Sequence, residues 1–587
     1  MDPADRAGVP LFRREFLGAE ETFTRIGDGA LGGKAAGLDR MRRAILDRLD
    51  PGEFPSIRVA VPTLTVLGTE VFDAFMEQND LWEVVDDPPA DERLAHAFQQ
   101  ADLPARWVGD LRALVTGLHC PLAVRSSSLL EDALEHPFAG VYATKMTPNN
   151  QPDADARFRR LAEAVKFVWA STFFAAARSY QASVGRSPRD EKMAVVIQEI
   201  VGRRRGHRWY PTISGVARSW NYYPSGHATP EDGVAHLALG LGRQIVDGGA
   251  CWTYSPAWPR TPVYFKDEGD LLKNTQTRFW AVNMGKAPPP DPTRETEYLV
   301  ELDLAEAEYD DALRHLASTW DAAANRLRPG IARPGPRVLD FAPLLRGGAL
   351  PLNDLVKRLL DLSREALDAA VEIEFALDVA PGKGETDAVL GFLQARPMAV
   401  AGGDVDVCAE ELRGDDLLLA SEQALGDGVN EDLTDVVYLK PDAFATEHTP
   451  RIAREVAAVN ADLVAAGRNY LLIGFGRWGS TDPWLGVPVD WGQISGARVI
   501  VEATLPELYT DMSQGSHFFH NLISFRVLYL PVPHRGGPCI DWDWLARQET
   551  AAETDFVRHV RTRSPLRVKV DGRSGRGVVK YDAEEGP

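Results

Sequence analysis

The 587-residue sequence lacks several features that mark membrane proteins and secreted proteins. Its four cysteines lie far apart, with neither metal-ligand spacing nor a disulfide framework, at positions Cys120, Cys251, Cys408 and Cys539. No run of about 18 apolar residues is present, so we expect no membrane-spanning helix. The opening residues, MDPADRAGVPLFRREF, have no apolar core of a signal peptide. These absences lead us to expect a cytoplasmic protein in reducing surroundings.

Positive charge is also scarce. The sequence has 64 Lys and Arg against 85 Asp and Glu, a formal net charge of −21. A protein that neutralises nucleic-acid phosphates needs a basic surface, so we expect no general nucleic-acid binding. One dense basic run, GRRRGHR at 202–208, is open to two interpretations, a solvated loop or a segment that faces an anionic ligand.

The remaining composition is that of a globular protein with mixed α/β structure. A 44% hydrophobic and 25% charged content is ordinary, and the length suggests more than one domain. Residues 35–48 and 155–185 are predicted to be helical. Short apolar runs predict strands at LAVRS, MAVVIQEI, AHLALGL, AVLGFLQA, YLLIGF, ARVIVEATL and FRVLYLPV. The polar stretch 402–416 predicts a boundary between a front region, 20–402, and a rear α/β region, 417–587.

A glycine-rich stretch, IGDGALGGKAAGL at 26–38, precedes the first predicted helix. Its Gly27-x-Gly29-x-x-Gly32 spacing satisfies the dinucleotide fingerprint, but the preceding EETFTR is a poor buried strand. The Walker A pattern fails, because Asp28 replaces its first glycine and Ala35 follows the lysine. From the residues alone, the stretch is either a phosphate-binding loop or a turn that leads into a helix.

A second informative stretch is PLAVRSSSLLEDALEHPFAG, at 121–140. Arg125 comes at the end of a predicted strand, where a guanidinium can bind a phosphate through two hydrogen bonds. Ser128 and Glu131 have the spacing of a capping box, which predicts the start of a helix and requires no function. The PFAG segment, which ends at Gly140, is a small-residue loop whose backbone N–H groups can face phosphate oxygens.

A third stretch, at 370–398, contains VEIEF and LQARP. Strand alternation sends Glu372 and Glu374 to one face, and Gln394 and Arg396 repeat that pattern. If the two strands pair as a hairpin, one face carries two carboxylates, an amide and a guanidinium. Such a face suits Mg²⁺ ions held on ATP phosphates. The alternative is an amphipathic hairpin whose polar face is only hydrated.

Six segments in a fixed order resemble the N-terminal nucleotide-binding region of phosphoenolpyruvate synthase and pyruvate phosphate dikinase, an ATP-grasp fold. The segments are GGKAAGL, AVRSSSLLED with PFAG, ISGVARS, GLGRQIVDGG, EIEF and LQARP. The resemblance covers roughly residues 20–400 and implies an α/β ATP-grasp region that binds ATP and Mg²⁺.

The resemblance implies a role for each matching residue. Catalytic roles, holding phosphates and offsetting charge, fall to Lys34, Arg125 and Arg396. Nucleotide contacts are implied for Gly32, Gly33, Lys34, Arg125, Gly140, Gln198, Glu199, Gln394 and Arg396. The metal ligands would be Glu372, Glu374 and Gln394. One residue departs from the pattern, since Arg243 stands where phosphoenolpyruvate synthase has an acidic residue.

The rear region does not match the rest of that family. The family's glycine-rich serine–histidine motif is not found, and the rear region is shorter than the roughly 250 residues of a barrel domain. We therefore do not expect phosphoenolpyruvate synthesis by this chain unaided. The loop at Arg477 is either an anion site or a packing loop anchored by tryptophan, and we expect His517 not to carry phosphate.

Three functions remain open from the sequence. The first is a Mg-ATP-dependent phosphotransferase whose acceptor is a small molecule or a protein, for example a partner that carries a phosphohistidine. The second is an ATP-grasp ligase-like enzyme that forms an acyl phosphate. The third is a non-catalytic nucleotide sensor. The full set of predicted phosphate and metal residues favours an active enzyme over a sensor, and nothing in the sequence names the acceptor.

Overall fold

The computed structural model describes residues 8–14, 22–128, 131, 141–183, 185–222, 224, 227–261, 271–272, 275–380, 388–398, 400, 405–414, 416–480, 484–505, 522, 527–534 and 540–582. Gly140, predicted to belong to a phosphate loop, and His517 of the rear region lie outside these residues.

The chain divides into two units. The first comprises Met1–Arg178 and Arg186–Met398, and the second comprises Ser179–Gly185 and Ala399–Pro587. The division falls just before the polar stretch in which the sequence predicts a domain boundary. Both units contain helices and strands, which confirms the predicted α/β class. Within the described residues, no helix has the length and apolar character needed to cross a membrane.

The first unit contains eighteen of the described strands. They are β1 (Phe23–Ile26), β2 (Ile57–Ala60), β3 (Leu64–Leu67), β4 (Leu122–Ser128), β5 (Thr144–Thr147), β6 (Met193–Glu199), β7 (Arg203–Arg205), β8 (Arg208–Tyr210), β9 (Ile213–Arg218), β10 (Val234–Ala238), β11 (Trp252–Tyr254), β12 (Arg278–Asn283), β13 (Leu299–Asp303), β14 (Ala317–Asp321), β15 (Arg326–Pro329), β16 (Arg337–Leu339), β17 (Val371–Val379) and β18 (Ala388–Pro397).

The helices of the first unit are α1 (Gly32–Arg48), α2 (Thr69–Gln78), α3 (Leu81–Asp86), α4 (Asp91–Gln100), α5 (Ala105–Gly117), α6 (Ala154–Ser171), α7 (Ala175–Ser183), α8 (Arg243–Val246), α9 (Leu304–Tyr309), α10 (Ala342–Leu345) and α11 (Leu352–Leu367). The second half of α7 is assigned to the second unit. Short 3₁₀ helices span Pro188–Asp190 and Pro230–Asp232. The helical region predicted at 155–185 is confirmed as two helices, α6 and α7.

Two sheets of the first unit carry the predicted site residues. One has the strand order β1-β3-β6-β4-β5, and the other has the order β11-β10-β9-β17-β18-β2. The first is antiparallel except for the β1–β3 pair, and the second is antiparallel except for the β18–β2 pair. Smaller sheets have the orders β13-β12-β8-β7 and β15-β14-β16.

The helix α1 packs on the six-stranded sheet because one of its faces is apolar. Its buried hydrophobic residues recur at intervals of three, in the order Ala35, Leu38, Met41 and Ala44. The buried residues of α11 recur at intervals of three and four, and both helices share one core cluster with β17 and β18. This packing places the beginning of α1 close to the hairpin.

The structure corrects the prediction for the segment before the glycine-rich stretch. The expectation that no buried strand precedes the glycine loop is wrong, because β1 begins inside EETFTR and its Phe23 is buried. Pairing with β3 supplies the hydrogen bonds that the short segment alone does not suggest.

The basic run at 202–208 forms the β7–β8 hairpin, in which Arg203 pairs with Asp378 at 2.6 Å and Arg208 with Glu306 at 2.6 Å.

The second unit is built around one large sheet. Its strands are β19 (Leu417–Ser421), β20 (Gly428–Leu439), β21 (Tyr470–Phe475), β22 (Arg477–Trp478), β23 (Gly486–Val487), β24 (Ala497–Ala503), β25 (Leu528–Val532), β26 (Glu549–Glu553), β27 (Val557–Asp571) and β28 (Arg576–Lys580). Its helices are α12 (Thr449–Ala465) and α13 (Trp542–Arg547), with 3₁₀ helices at Glu411–Arg413, Pro441–Ala443, Thr446–His448 and Trp491–Ile494.

This large sheet curls until its two edges meet. The strand order is β19-β28-β27-β20-β21-β24-β25, with β26 added to β27, and β20, β21, β24 and β25 run parallel. Leu425, which follows β19, exchanges two backbone hydrogen bonds with Tyr529 of β25 at 2.7 and 2.9 Å. The two outer strands of the order are therefore joined, which protects edges that would otherwise be open.

Candidate functional site

The glycine-rich segment after β1 is fixed to β4. Gly27, Gly29 and Gly32 have φ values of 75°, 92° and 80°, a region that glycine adopts readily. A Cβ atom on Gly32 would lie 1.7 Å from the carbonyl oxygen of Ser127, so the two backbones approach too closely for a side chain. The Ser127 hydroxyl donates a hydrogen bond to the Leu31 carbonyl at 2.8 Å. The beginning of α1 is thereby held against the strand that ends in the serine run.

Lys34 lies in the first turn of α1, and its side chain reaches β4. Its Nζ atom lies 3.2 Å from the Ser126 hydroxyl and forms an ion pair with Glu131, which is 2% exposed. Glu131 also accepts hydrogen bonds from the Ser126 hydroxyl at 2.7 Å and from the Ser128 N–H at 3.3 Å. The first N–H groups of a helix have no partner within it and favour anions. Lys34 therefore stands beside a feature that suits phosphate.

Arg125 connects the two main sheets of the first unit. Its Nη2 atom donates hydrogen bonds to Glu374 Oε2 at 3.0 Å and to Gln394 Oε1 at 2.8 Å. Its Nη1 atom donates to the Leu393 carbonyl at 3.2 Å. An arginine of the five-stranded sheet thus lies directly against the polar face of the hairpin in the six-stranded sheet.

The hairpin of β17 and β18 pairs its polar residues across the strands. Glu372 lies opposite Arg396, and Glu374 lies opposite Gln394, in the antiparallel register. This is the hairpin that the sequence predicts, with the four polar side chains on one face. A register shift follows Glu374, so the regular alternation of the pair is interrupted beyond this point.

A third strand adds a guanidinium that the sequence analysis missed. Arg218, the last residue of β9, lies opposite Glu372 and donates from Nε to its Oε2 atom at 2.6 Å. On the other side of Glu372, Arg396 Nε donates to Oε1 at 2.9 Å. A signal was available in the sequence, because an arginine ends the apolar ISGVAR run much as Arg125 ends LAVR. ISGVARS carried no assigned chemistry, so its arginine had no role.

Among the described residues, the polar face of the hairpin has more positive than negative charge. Its cations are Arg125, Arg218 and Arg396, and its anions are Glu372 and Glu374. Lys34 and Glu131 pair with each other at the beginning of α1. Most of these side chains are buried or nearly so, which weakens screening by water and salt. A face of this kind attracts an anion that has several charges, such as a polyphosphate.

Burial changes the protonation of two groups beside this face. It lowers the pKa of His236 from 6.5 to about 3, and the charge of Arg218 acts in the same direction. Burial raises the pKa of Glu191 from 4.5 to about 7, a hydrogen bond with Ser128 opposes the rise, and the nearby charge of Glu131 adds to it. At pH 7 the imidazole is therefore neutral, and the Glu191 carboxyl titrates near neutral pH.

Gln198 and Glu199, for which the resemblance implies nucleotide contacts beside the adenine, point to different faces of the sheet. Gln198 lies opposite Ala123 on β4, on the same face as Arg125, and is 2% exposed. Its amide nitrogen has no hydrogen-bond partner among the described residues. Glu199 points to the other face, where it accepts a hydrogen bond from the Cys120 thiol at 3.0 Å. The structure therefore brings the side chain of Gln198, but not that of Glu199, to the face of Arg125.

The loop at 240–249, where the chain departs from the family pattern, contains the short helix α8. Its Arg243 pairs with Asp247 at 2.9 Å and with Glu295 at 3.5 Å. The guanidinium also lies over the ring of Trp280, 5.6 Å from its centroid. Acidic and aromatic neighbours of the chain itself thus hold this arginine.

The metal ligands predicted from the sequence suit Mg²⁺ only if the nucleotide contributes. Within the described residues, no group of three or more His, Cys, Asp or Glu side chains is arranged to hold a metal ion by itself. Glu374 and Gln394 place a carboxylate and an amide oxygen around the same guanidinium of Arg125. Mg²⁺ prefers oxygen ligands and commonly combines one or two carboxylates with substrate phosphates. These residues therefore fit a Mg²⁺ ion that arrives with ATP.

The loop at Arg477 in the second unit is anchored by a tryptophan. Trp478 is 2% exposed, and its indole N–H donates to the Val501 carbonyl at 3.1 Å. A Cβ atom on Gly474 would lie 2.2 Å from the indole ring, so the ring packs directly on that glycine. The Trp478 backbone N–H donates to Glu502 at 2.9 Å. These contacts match the packing alternative for this loop.

A family model agrees with the geometry of the first unit, whereas comparison with curated protein sequences finds no match. The family model described as "Pyruvate phosphate dikinase, AMP/ATP-binding domain" matches residues 29–413, which is more than half of the chain. That range includes residues 29–38 of the glycine-rich stretch, Arg125, β9 and the β17–β18 hairpin. The chain therefore belongs to the pyruvate phosphate dikinase family and contains its ATP-grasp-type AMP/ATP-binding domain.

Proposed function

We propose that this protein is a Mg-ATP-dependent phosphotransferase that passes a phosphoryl group to a small molecule or to a protein acceptor. The observation that supports it most strongly is the contact of Arg125 with Glu374 and Gln394 on the polar face of the β17–β18 hairpin, which also carries Arg396. Phosphoryl transfer depends mainly on positioning and on charge neutralisation, which this set of side chains is suited to provide.

In this proposal, the nucleotide phosphates lie between the beginning of α1 and the hairpin. Gly32 and Gly33 bring backbone N–H groups toward the phosphates, and Lys34 adds a point charge. Arg125 and Arg396 bind phosphate oxygens through their planar guanidinium groups. Gln198 contacts the adenine through the amide nitrogen that has no partner among the described residues.

The bound metal would be held by Glu374 and Gln394. When bound with the nucleotide, Mg²⁺ would neutralise charge on the phosphates and so ease the departure of the leaving group. The chain's own contribution is to fix the phosphoryl group between cations and to exclude water from the face. The low exposure of Glu131, Gln394 and Arg396 is consistent with a site that is largely closed to solvent.

The first test measures nucleotide binding by calorimetry on the full-length chain. Lys34→Met removes the ammonium but keeps an apolar stem, and it should weaken Mg-ATP binding by about tenfold or more, as expected for a charge-assisted hydrogen bond. Lys192→Met is the matched control, because Lys192 forms an exposed ion pair with Asp73 at 2.6 Å.

A double variant separates binding from structural damage. Lys34→Met leaves Glu131 without its cation, which itself disturbs the buried site. Lys34→Met combined with Glu131→Gln removes that unpaired charge, and the loss of ATP affinity should persist. Wild-type affinity in the double variant would exclude Lys34 from the phosphate site.

The reaction class follows from the products. Phosphorus NMR of ATP incubated with the protein and fractionated cell extract distinguishes AMP from ADP and detects the phosphorylated acceptor. Release of ADP and phosphate that depends on a carboxylic acid would indicate the ligase-like alternative. ATP binding without turnover in any fraction would indicate a nucleotide sensor and contradict the proposal.

A further inference from the structure

Glu372 is enclosed by cations on both of its oxygens. Its Oε1 atom accepts a hydrogen bond from Arg396 Nε at 2.9 Å, and its Oε2 atom accepts one from Arg218 Nε at 2.6 Å. The residue is 4% exposed, and both arginines are also buried. The three side chains occupy matching register positions on three adjacent strands, β9, β17 and β18. Glu372 therefore bridges two guanidinium groups across the sheet.

Glu374 has a different environment, although it lies only two residues away. Its side chain is 19% exposed, and within the described residues it forms an ion pair with one cation, Arg125, at 3.0 Å. The same guanidinium reaches Gln394 at 2.8 Å, so Arg125 contacts both of the proposed oxygen ligands. A metal ion at Glu374 therefore competes with one arginine that can turn to a phosphate instead.

A metal ion at Glu372 would meet a larger obstacle. It would have to displace both Arg218 and Arg396 or remain next to their positive charges, and two like charges in a buried site repel strongly. Removing the bridging carboxylate would also leave the two arginines without their shared counter-charge. The arrangement suits a carboxylate that holds two arginines in place.

We propose that Glu372 is a positioning residue that fixes Arg218 and Arg396 toward the phosphates, and that Glu374 is the metal-ligating carboxylate. This inference rests on the proposed function, and it departs from the sequence prediction that both glutamates bind the metal. It also adds Arg218 to the cations that face the phosphates. The bridge offsets one of the two guanidinium charges and leaves the other to attract an anion.

The test measures Mn²⁺ binding by electron paramagnetic resonance on the full-length chain with saturating ATP. Glu374→Gln should weaken ATP-dependent Mn²⁺ binding by more than about tenfold, because a direct charge contact is lost. Glu372→Gln should change it by less than about threefold, since that charge is already compensated by two guanidinium groups. Equal losses in the two variants would overturn the inference.

A measurement on the wild-type chain covers the case in which Glu372→Gln does not fold. In protein labelled with ¹⁵N-arginine, Arg218→Lys and Arg396→Lys identify the Nε–H signals of the two bridged guanidinium groups. Both signals should keep their hydrogen-bonded shift and slow solvent exchange when Mg²⁺ and ATP are added. Loss of both on metal addition would show that Glu372 leaves the arginines for the metal and would overturn the inference.

These outcomes separate the inference from the proposed function. If wild-type protein shows no ATP-dependent Mn²⁺ binding, the proposed function fails, and the assignment of Glu374 fails with it. If wild-type protein binds Mn²⁺ with ATP but Glu372→Gln abolishes that binding, the proposed function stands and only the positioning role is refuted.

Discussion

Replacing Asp435 with asparagine tests how the second unit is stabilised. Asp435 lies on β20, is 1% exposed, and accepts hydrogen bonds from His559 Nε2 at 2.8 Å, Arg468 Nε at 2.8 Å and Arg561 Nε at 3.4 Å. Burial alone would raise the pKa of Asp435, but the hydrogen bonds from His559 and Arg468 outweigh it and lower the pKa from 3.8 to about 2. The carboxylate thus joins β20 to β27 and to the segment before β21.

The size and the pH dependence of this contribution follow from the lowered pKa. A shift from 3.8 to about 2 corresponds to about 2 kcal/mol that favours the folded state. Because the folded-state pKa is the lower one, the contribution is present above pH 3.8 and is lost as the pH falls through about 2. Asp435→Asn also leaves the cations unpaired, so the total loss at pH 7 should be about 2 to 5 kcal/mol.

Hydrogen exchange measured by mass spectrometry suits a chain of two units, which need not unfold in one step. Peptides from β20 and β27 should lose protection in Asp435→Asn at pH 7. Asp555→Asn is the matched control in the same unit, because Asp555 is 66% exposed and pairs with Arg451 at the surface. That change should cost less than about 1 kcal/mol.

Two results would refute this reasoning. One is equal protection of β20 in Asp435→Asn and Asp555→Asn at pH 7. The other is a difference between wild type and Asp435→Asn that grows as the pH falls from 5 to 3, since a lowered pKa requires the difference to shrink there.

Two further predictions concern the first unit. Glu191→Gln should stabilise the protein by about 3 kcal/mol above pH 7 and have no effect below pH 4.5. The reason is that burial raises the pKa of Glu191 from 4.5 to about 7, so the charged form is unfavourable in the folded state. Denaturant titrations at pH 4.5 and pH 8 check this, and equal effects at the two pH values would contradict it. Gly32→Ala should destabilise the first unit far more than Gly330→Ala. Both positions have φ near 80°, but only Gly32 lies against another backbone segment. Similar melting temperatures for the two variants would show that the contact with Ser127 does not matter.

The sequence predicted the hairpin because its pattern is local. Alternation alone assigns Glu372 and Glu374 to one face of a strand, and the same rule assigns Gln394 and Arg396. The register that sets each glutamate opposite its partner then follows from antiparallel pairing. A short-range pattern thus predicted which polar side chains share a face of two adjacent strands.

Other features depend on partners far away in the chain. Arg218 precedes its partner in β17 by about 150 residues, so nothing near it indicates an ion pair. The strand β1 looks weak in isolation and exists because β3 pairs with it. The closure of the large sheet rests on Leu425 and Tyr529, which are similarly distant in the sequence. Tertiary pairing of this kind overrides local propensity.

The contacts that hold the first unit together are made by the same residues that the proposed chemistry uses. Gly32 touches the Ser127 backbone, and a Cβ atom on Gly37 of α1 would lie 3.0 Å from the Ala395 carbonyl of β18. Arg125 joins the two main sheets through the polar residues of the hairpin. A variant that removes one of these side chains therefore disturbs structure and function together. Substitutions that keep the shape and change only the charge, such as Glu to Gln, are the ones that separate the two effects, because they retain the packing while they alter the electrostatics of the phosphate face.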